Sequence, residues 1–193
     1  GDTPFSRNWV MRMADGGSCN VSSMTMSVHC GTHTDAPLHY DDSGLGMADV
    51  PLDAYLGRAR VLAIEGVGDP KLVPIDGLGD RLAGCERVLF RTASTHDGDT
   101  FDRGFTALGP PAAELLVAAG VRLVGIDTPS MDHAASQDLA AHHVLYHGGI
   151  ALLENLDLTG VPEGDYELIA LPLKIEGSDS SPVRAVLREL ESA

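Results

Sequence analysis

Residues 29–39 read HCGTHTDAPLH and place His29, His33, Asp35 and His39 within eleven positions. Neutral imidazole nitrogens with a carboxylate suit a divalent ion such as zinc or manganese, and such a site can hold a water to be activated. The steps i, i+4, i+6 and i+10 cannot meet at one ion along a straight segment. An extended strand of this length would span roughly 33 Å. A helix fits no better, because Gly31 weakens its start and Pro37 removes a donor from its middle. The segment must therefore bend, and Gly31 and Pro37 are the residues that permit it. Taken singly, a histidine here reads better as a loop residue bonded to backbone than as a ligand. Four such groups among small turn-forming residues read as a metal site.

Working outward, the alternation over Ser22–His29 predicts a half-buried strand that delivers His29 at its end. Beyond the cluster, Asp41–Gly46 is turn chemistry, and Val50–Leu56 reads as a short amphipathic element around Pro51. Strands are predicted at Arg60–Ile64, Arg87–Arg91 and Val121–Ile126. A helix is predicted over Pro110–Ala119, with proline at its entry and Gly120 just past its end. Ser136 is the expected N-cap of a second helix running to about Tyr146, stopped by His147 and Gly148-Gly149. Strands at Ile150–Leu153, Tyr166–Lys174 and Val183–Leu190 complete the chain. Helices interspersed among more numerous strands predict a mixed α/β fold rather than a doubly wound one. Residues 1–193 show no repeat or linker and read as one domain.

At 193 residues and 44% apolar content the chain can bury a substantial core. A formal net charge of −15 with only 13 Lys and Arg repels a phosphate backbone, so nucleic acid is not an expected partner. No apolar run spans a membrane and the first residues carry no basic-then-apolar address, so a soluble, cytoplasmic protein with no membrane partner is expected. The three cysteines, Cys19, Cys30 and Cys85, lack metal or redox spacing and read as free thiols. Cys30 is expected to be a small buried neighbour of the histidines, with a soft ligand as the alternative.

A second set of ligand types lies in Ala141–His147, where His142, His143 and His147 share a helix, and in Glu154 after an apolar strand. His143 and His147 share one helical face, while His142 points about 100° from His143. Only one of the adjacent pair can face the first cluster. With a carboxylate it would make a two-metal site bridged by Asp35; a histidine that merely caps the helix and a solvated Glu154 are the bland alternatives. Asp97-Gly98-Asp99 and Gly77-Leu78-Gly79 read as turns. Asp127 either orients a ligand or caps the next turn. No GxSxG elbow is present.

With His29, Gly31, Thr32, His33, Asp35, Ala36, Pro37 and His39 in place, the chain resembles the metal-dependent cyclase family, and within it the bacterial kynurenine formamidase (arylformamidase) branch. The likeness continues through PLDAYLG (51–57), GVRLVGIDTPSMD (120–132), AHH (141–143) and DYELIALPLKIEGSDSSPVRAVLREL (165–190). The resemblance implies a swivelling β/β/α fold, a homodimer, and two zinc ions per subunit, with manganese as a substitute. It also implies roles: His29 and His33 on one ion, Asp35 bridging, His142 and Glu154 on the second, and His39 as the acid/base. The twelve-residue step to Glu154 selects His142 over His143.

The implied reaction is hydrolysis of the small aryl formamide N-formyl-L-kynurenine to L-kynurenine and formate, a step of tryptophan breakdown. The family pattern also has a strand ending in Trp-Pro before GDTP, whose tryptophan packs on the substrate; Trp9 is not its equivalent. Cys30 stands where the formamidases have threonine. The rival expectations are a lactam-opening, isatin-hydrolase-like enzyme on the same site, and a non-catalytic metal-binding or small-molecule-binding relative.

Overall fold

The computed structural model describes residues 3–92 and 101–190. The Asp97–Asp99 turn lies outside the described residues. Two apolar segments form the centre, β5 (Arg87–Arg91) and β6 (Leu123–Ile126), as predicted to within two residues. Val88, Leu89, Phe90, Leu123, Val124 and Ile126 are all fully buried. Burial on both faces marks parallel central strands, and β5 pairs in parallel with β6 and with β4 (Leu56–Ala63). Adding β7 (Ala151–Leu153), β8 (Gly164–Ile169) and β10 (Val186–Glu189) completes a six-stranded sheet in the order β10-β8-β4-β5-β6-β7. β8 runs antiparallel to both its neighbours, β10 and β4, so the sheet is mixed.

One face is covered by α1 (Leu78–Leu82), α2 (Pro110–Ala118) and α3 (Ala140–His147). Leu82, Leu116, Ala141 and Leu145 pack there on Leu62, Val88, Phe90 and Val124. The opposite face is closed by Tyr55, Leu156, Leu158 and Val183. Helix α2 begins at tandem prolines after Gly109 and is followed by Gly120, whose φ of +73° is the left-handed stop expected of it. Gly77 enters α1 at φ +69°.

Three expectations are corrected. The Ser22–His29 strand is β2 (Val21–Thr25), which is exposed throughout and pairs only with β1 (Ser6–Met11) in a two-stranded hairpin outside the main sheet. His29 sits in the turn that follows. Alternation promises a buried face only where a core lies beneath it, and here none does. Ser136 does not cap α3: its hydroxyl donates to Asp138 at 3.1 Å, and the helix starts four residues later behind Leu139, in a left-handed conformation at φ +48°. Finally, the strand expected to reach Lys174 stops at Ile169 as the chain nears Pro172, which has no N–H for a ladder. Further on, where no strand is predicted, the chain forms β9 (Ser180–Pro182), antiparallel to β3 (His33–Asp35).

Candidate metal centre

Strand β3 is the scaffold of the cluster, and small polar side chains bolt it down. His33 and Glu154 exchange both backbone hydrogen bonds, at 3.2 and 3.0 Å, which joins β3 to the end of β7. Thr32 Oγ1 donates to the Asn155 carbonyl and Thr34 Oγ1 to the Leu152 carbonyl, each at 2.6 Å. On the other edge Ser180 Oγ donates to Thr34 O at 2.8 Å and Val28 O at 3.3 Å. Gly31 turns the chain at φ +69°, and Pro37 opens the 3-10 turn Pro37–His39 that carries His39. The two predicted bends are thus where the chain folds back.

All six candidate residues meet on the wall of one cavity of about 470 Å³, which Phe101 and Phe105 also line. His29 Nδ1 lies 3.1 Å from Asp35 Oδ1, and His33 Nε2 lies 3.7 Å from the same oxygen. His39 Nε2 and His142 Nε2 approach Asp35 Oδ2 at 3.9 and 4.0 Å. Glu154 receives His33 Nε2 at 3.3 Å and His142 Nε2 at 3.1 Å. Among the described residues two trios bring ligand atoms within 4.8 Å of one another, His29-Asp35-His39 and His33-Asp35-Glu154. Asp35 belongs to both.

Of the adjacent histidines, His142 faces the cluster and is 3% exposed. His143 stacks on His147 with ring centroids 6.0 Å apart on the neighbouring face. Cys30 is exposed rather than the buried neighbour expected, and it joins neither trio. Asp127 accepts from the backbone and hydroxyl of Thr92, tying the end of β6 to the end of β5.

Two carboxylates without a role in the sequence reading hold the histidines from behind. Asp132 accepts from His142 Nδ1 at 2.6 Å and from the backbone N–H groups of Ala141 and His142 at 3.0 and 3.1 Å. It caps α3 and sets the ring together, a carboxylate–histidine arrangement typical behind metal ligands. Asp179 contacts His29 and His39. Both lie in segments that resemble the family, but only folding reveals which ring each one meets.

The field of these acids shows in the titration of the rings. Burial opposes charge on His29, but Asp35 and Asp179 outweigh it and lift the ring to about 9. Burial likewise opposes charge on His142, and Asp132, Glu154 and Asp35 carry it to about 10. His33 is raised despite its burial, chiefly by Glu154. Burial would push Glu154 up, yet His142 and His33 hold it below the usual carboxylate range.

A divalent cation fits this donor set. Asp35 Oδ1 is buried and has no hydrogen-bond partner, a costly state for an anionic oxygen unless a cation meets it. Four imidazoles and two carboxylates, without sulfur, are the nitrogen and oxygen ligands of zinc and manganese sites.

Residues 3–133 match the Cyclase family model. The chain belongs to the cyclase family. A curated cyclase-family relative, kynurenine formamidase from Paracidovorax citrulli (strain AAC00-1), is 49% identical over 193 residues, covering 97% of this chain and 88% of the relative. Among solved structures, a "potential metal-dependent hydrolase with cyclase activity" superposes with a TM-score of 0.80 at 30% identity, covering 96% of this chain and 88% of the other. A "predicted metal-dependent hydrolase from Bacillus stearothermophilus" gives 0.79 at 31% identity, with coverage of 95% and 86%. The mixed α/β cyclase fold expected from the sequence is therefore the fold found.

Proposed function

We propose that this cyclase-family chain is a kynurenine formamidase, hydrolysing N-formyl-L-kynurenine to L-kynurenine and formate with two zinc ions per subunit. The observation that carries the reading is Asp35, which belongs to two ligand trios at the wall of a substrate-sized cavity and has one buried oxygen without a hydrogen-bond partner. The 49% identity to a kynurenine formamidase over 97% of the chain supports the substrate.

His29 and His33 would hold one ion, His142 and Glu154 the second, and Asp35 both. A divalent ion held there supplies Lewis acidity, which makes water a nucleophile near neutral pH and polarises a carbonyl oxygen. His39 is the group placed to move a proton. Its ring is partly open to solvent, its Nδ1 is engaged by Asp179, and its Nε2 is left facing the shared carboxylate. A ring held this way can donate a proton to the departing aryl nitrogen. Phe105, buried, and Phe101, exposed, meet edge to face at 6.0 Å and offer an aromatic wall for the aryl ring.

The reading extends to a homodimer of single-domain subunits, residues 1–193. In the hairpin, Val10 and Met24 are 70% and 68% exposed, and Trp9, Met11 and Val21 are exposed beside them. An isolated two-stranded hairpin is marginal in water, and apolar surface of this kind is what a second copy covers. The exposed free thiols of Cys19 and Cys30 suit a reducing cytoplasm.

The test is formate release from N-formyl-L-kynurenine by metal-stripped protein, with and without added zinc. Zinc-restored turnover is the expected result. A zinc-loaded chain that leaves this substrate intact contradicts the reading.

A further inference from the structure

We infer that Asp179 is a positioning residue of the centre, a single carboxylate oxygen that fixes the rings of His29 and His39 together. The inference rests on the metallohydrolase reading above and adds a residue to it. Asp179 Oδ2 lies 2.9 Å from His29 Nε2 and 3.3 Å from His39 Nδ1. An ionised carboxylate only accepts, so each of these nitrogens carries the proton and donates. That assigns both tautomers. With the rings neutral, as ligation requires, the opposite nitrogens hold lone pairs, and both face Asp35: His29 Nδ1 at 3.1 Å from Oδ1 and His39 Nε2 at 3.9 Å from Oδ2.

One oxygen thereby aims two lone pairs at the same central carboxylate from rings whose centroids are 4.5 Å apart. His29 is assigned to the metal and His39 to proton transfer, so Asp179 couples the two tasks. Its own placement is set by backbone. β9 pairs Ser180 with Asp35 in register, and the Asp179 carbonyl accepts from Ala36 N–H at 2.8 Å. The Asp179 side chain is 44% exposed. Solvation was available to it, and the folded chain turns it onto the two rings instead. Asp132 does the same for His142, so three of the four imidazoles have a carboxylate behind them. The fourth, His33, donates from Nδ1 to the Gly31 carbonyl at 2.8 Å. The whole set thus has its tautomers assigned by acceptors on the protein.

The test uses Asp179→Asn and Asp179→Ala in the full chain, with Asp179→Glu as the rescue. Three quantities are read: zinc affinity by chelator competition, imidazole ¹⁵N shifts of zinc-loaded protein, and kcat and KM on N-formyl-L-kynurenine. The expected result for Asn and Ala is zinc binding weakened about 10–100-fold at one position, loss of the single Nδ1–H tautomer of His39, and a fall in kcat with KM little changed. Glu recovers part of each. Wild-type zinc affinity together with an unchanged His39 tautomer in Asp179→Asn overturns the inference. Asn is isosteric and leaves the backbone bonds of the loop in place, so it carries the test if Ala fails to fold. Should the wild-type chain prove inactive on this substrate, the formamidase reading falls, while the zinc and ¹⁵N readouts still judge Asp179.

Discussion

Asp132 grips His142 twice, at ring Nδ1 over 2.6 Å and at the backbone N–H over 3.1 Å. One side chain thus starts α3, which has no cap from its own preceding residue, and also fixes the ring that reaches Glu154. Replacing Asp132 with Ala should cost about 0.5–2 kcal/mol for the lost cap and weaken zinc at the His142 position about 10–100-fold. Asp132→Asn keeps one acceptor and should lose less stability than affinity. Chemical denaturation and chelator competition on the same samples separate the two effects; equal losses in both would show a cap and nothing more.

Gly44 bears on His39 through the backbone. A Cβ there would lie 2.6 Å from Pro37 C and 2.8 Å from Leu38 N, so Gly44→Ala must displace the turn that carries His39. We expect kcat to fall about 10–100-fold by misplacement of the acid/base, with zinc content unchanged because β3, α3 and Glu154 are untouched. His39→Ala sets the limit at a loss of about 10²–10⁴-fold, again with zinc retained. Zinc lost from His39→Ala along with activity would make His39 a ligand, which its place in a trio with His29 and Asp35 permits.

Metal loading should release protons. In the metal-free chain His29 is raised to about 9 and His142 to about 10 by the surrounding carboxylates, so both rings are charged at neutral pH. Ligation requires them neutral. Zinc titrated into stripped protein at pH 7.5, in buffers of different ionisation enthalpy, should liberate at least about one proton per chain. Heats independent of the buffer would contradict the protonated resting state.

The same shifts set a stability trend for the metal-free protein. Both rings bind their protons more tightly folded than unfolded, so their contribution is complete below the ordinary histidine value of about 6.5. It fades as pH rises through about 9 and about 10. Metal-free protein should therefore unfold at lower denaturant at pH 10 than at pH 6. Zinc-loaded protein should resist that decline, since its rings are already neutral.

The β1–β2 hairpin should mark the contact between copies. Light scattering of the wild type is expected to give the mass of two chains, and Val10→Asp combined with Met24→Asp to give one. A single-chain mass for the wild type would remove the hairpin argument.

The bends at Gly31 and Pro37, the central strands and helix α2 were legible because each follows from local chemistry: φ freedom, a fixed proline ring, an apolar run, a proline entry. The start of α3 was not, because its cap comes from Asp132 rather than from a neighbouring serine. β9 lies where no strand is predicted and becomes one only against β3. Cys30 lies inside the motif and still points to solvent.

Composition, ligand types and spacing in the chain by themselves establish a mixed α/β protein with a divalent-metal motif and no basic surface for nucleic acid. They also narrow the second histidine to one of an adjacent pair, since helical geometry turns neighbours about 100° apart. Tertiary structure alone brought Glu154 to His33, through paired backbone hydrogen bonds between distant segments. It also placed Asp132 and Asp179 behind the rings and left one oxygen of Asp35 buried without a partner. The reason is physical: ligand identity is a property of side chains, whereas a shared centre and its tautomers depend on angles and distances that exist only once β3, β7, β9 and α3 have packed.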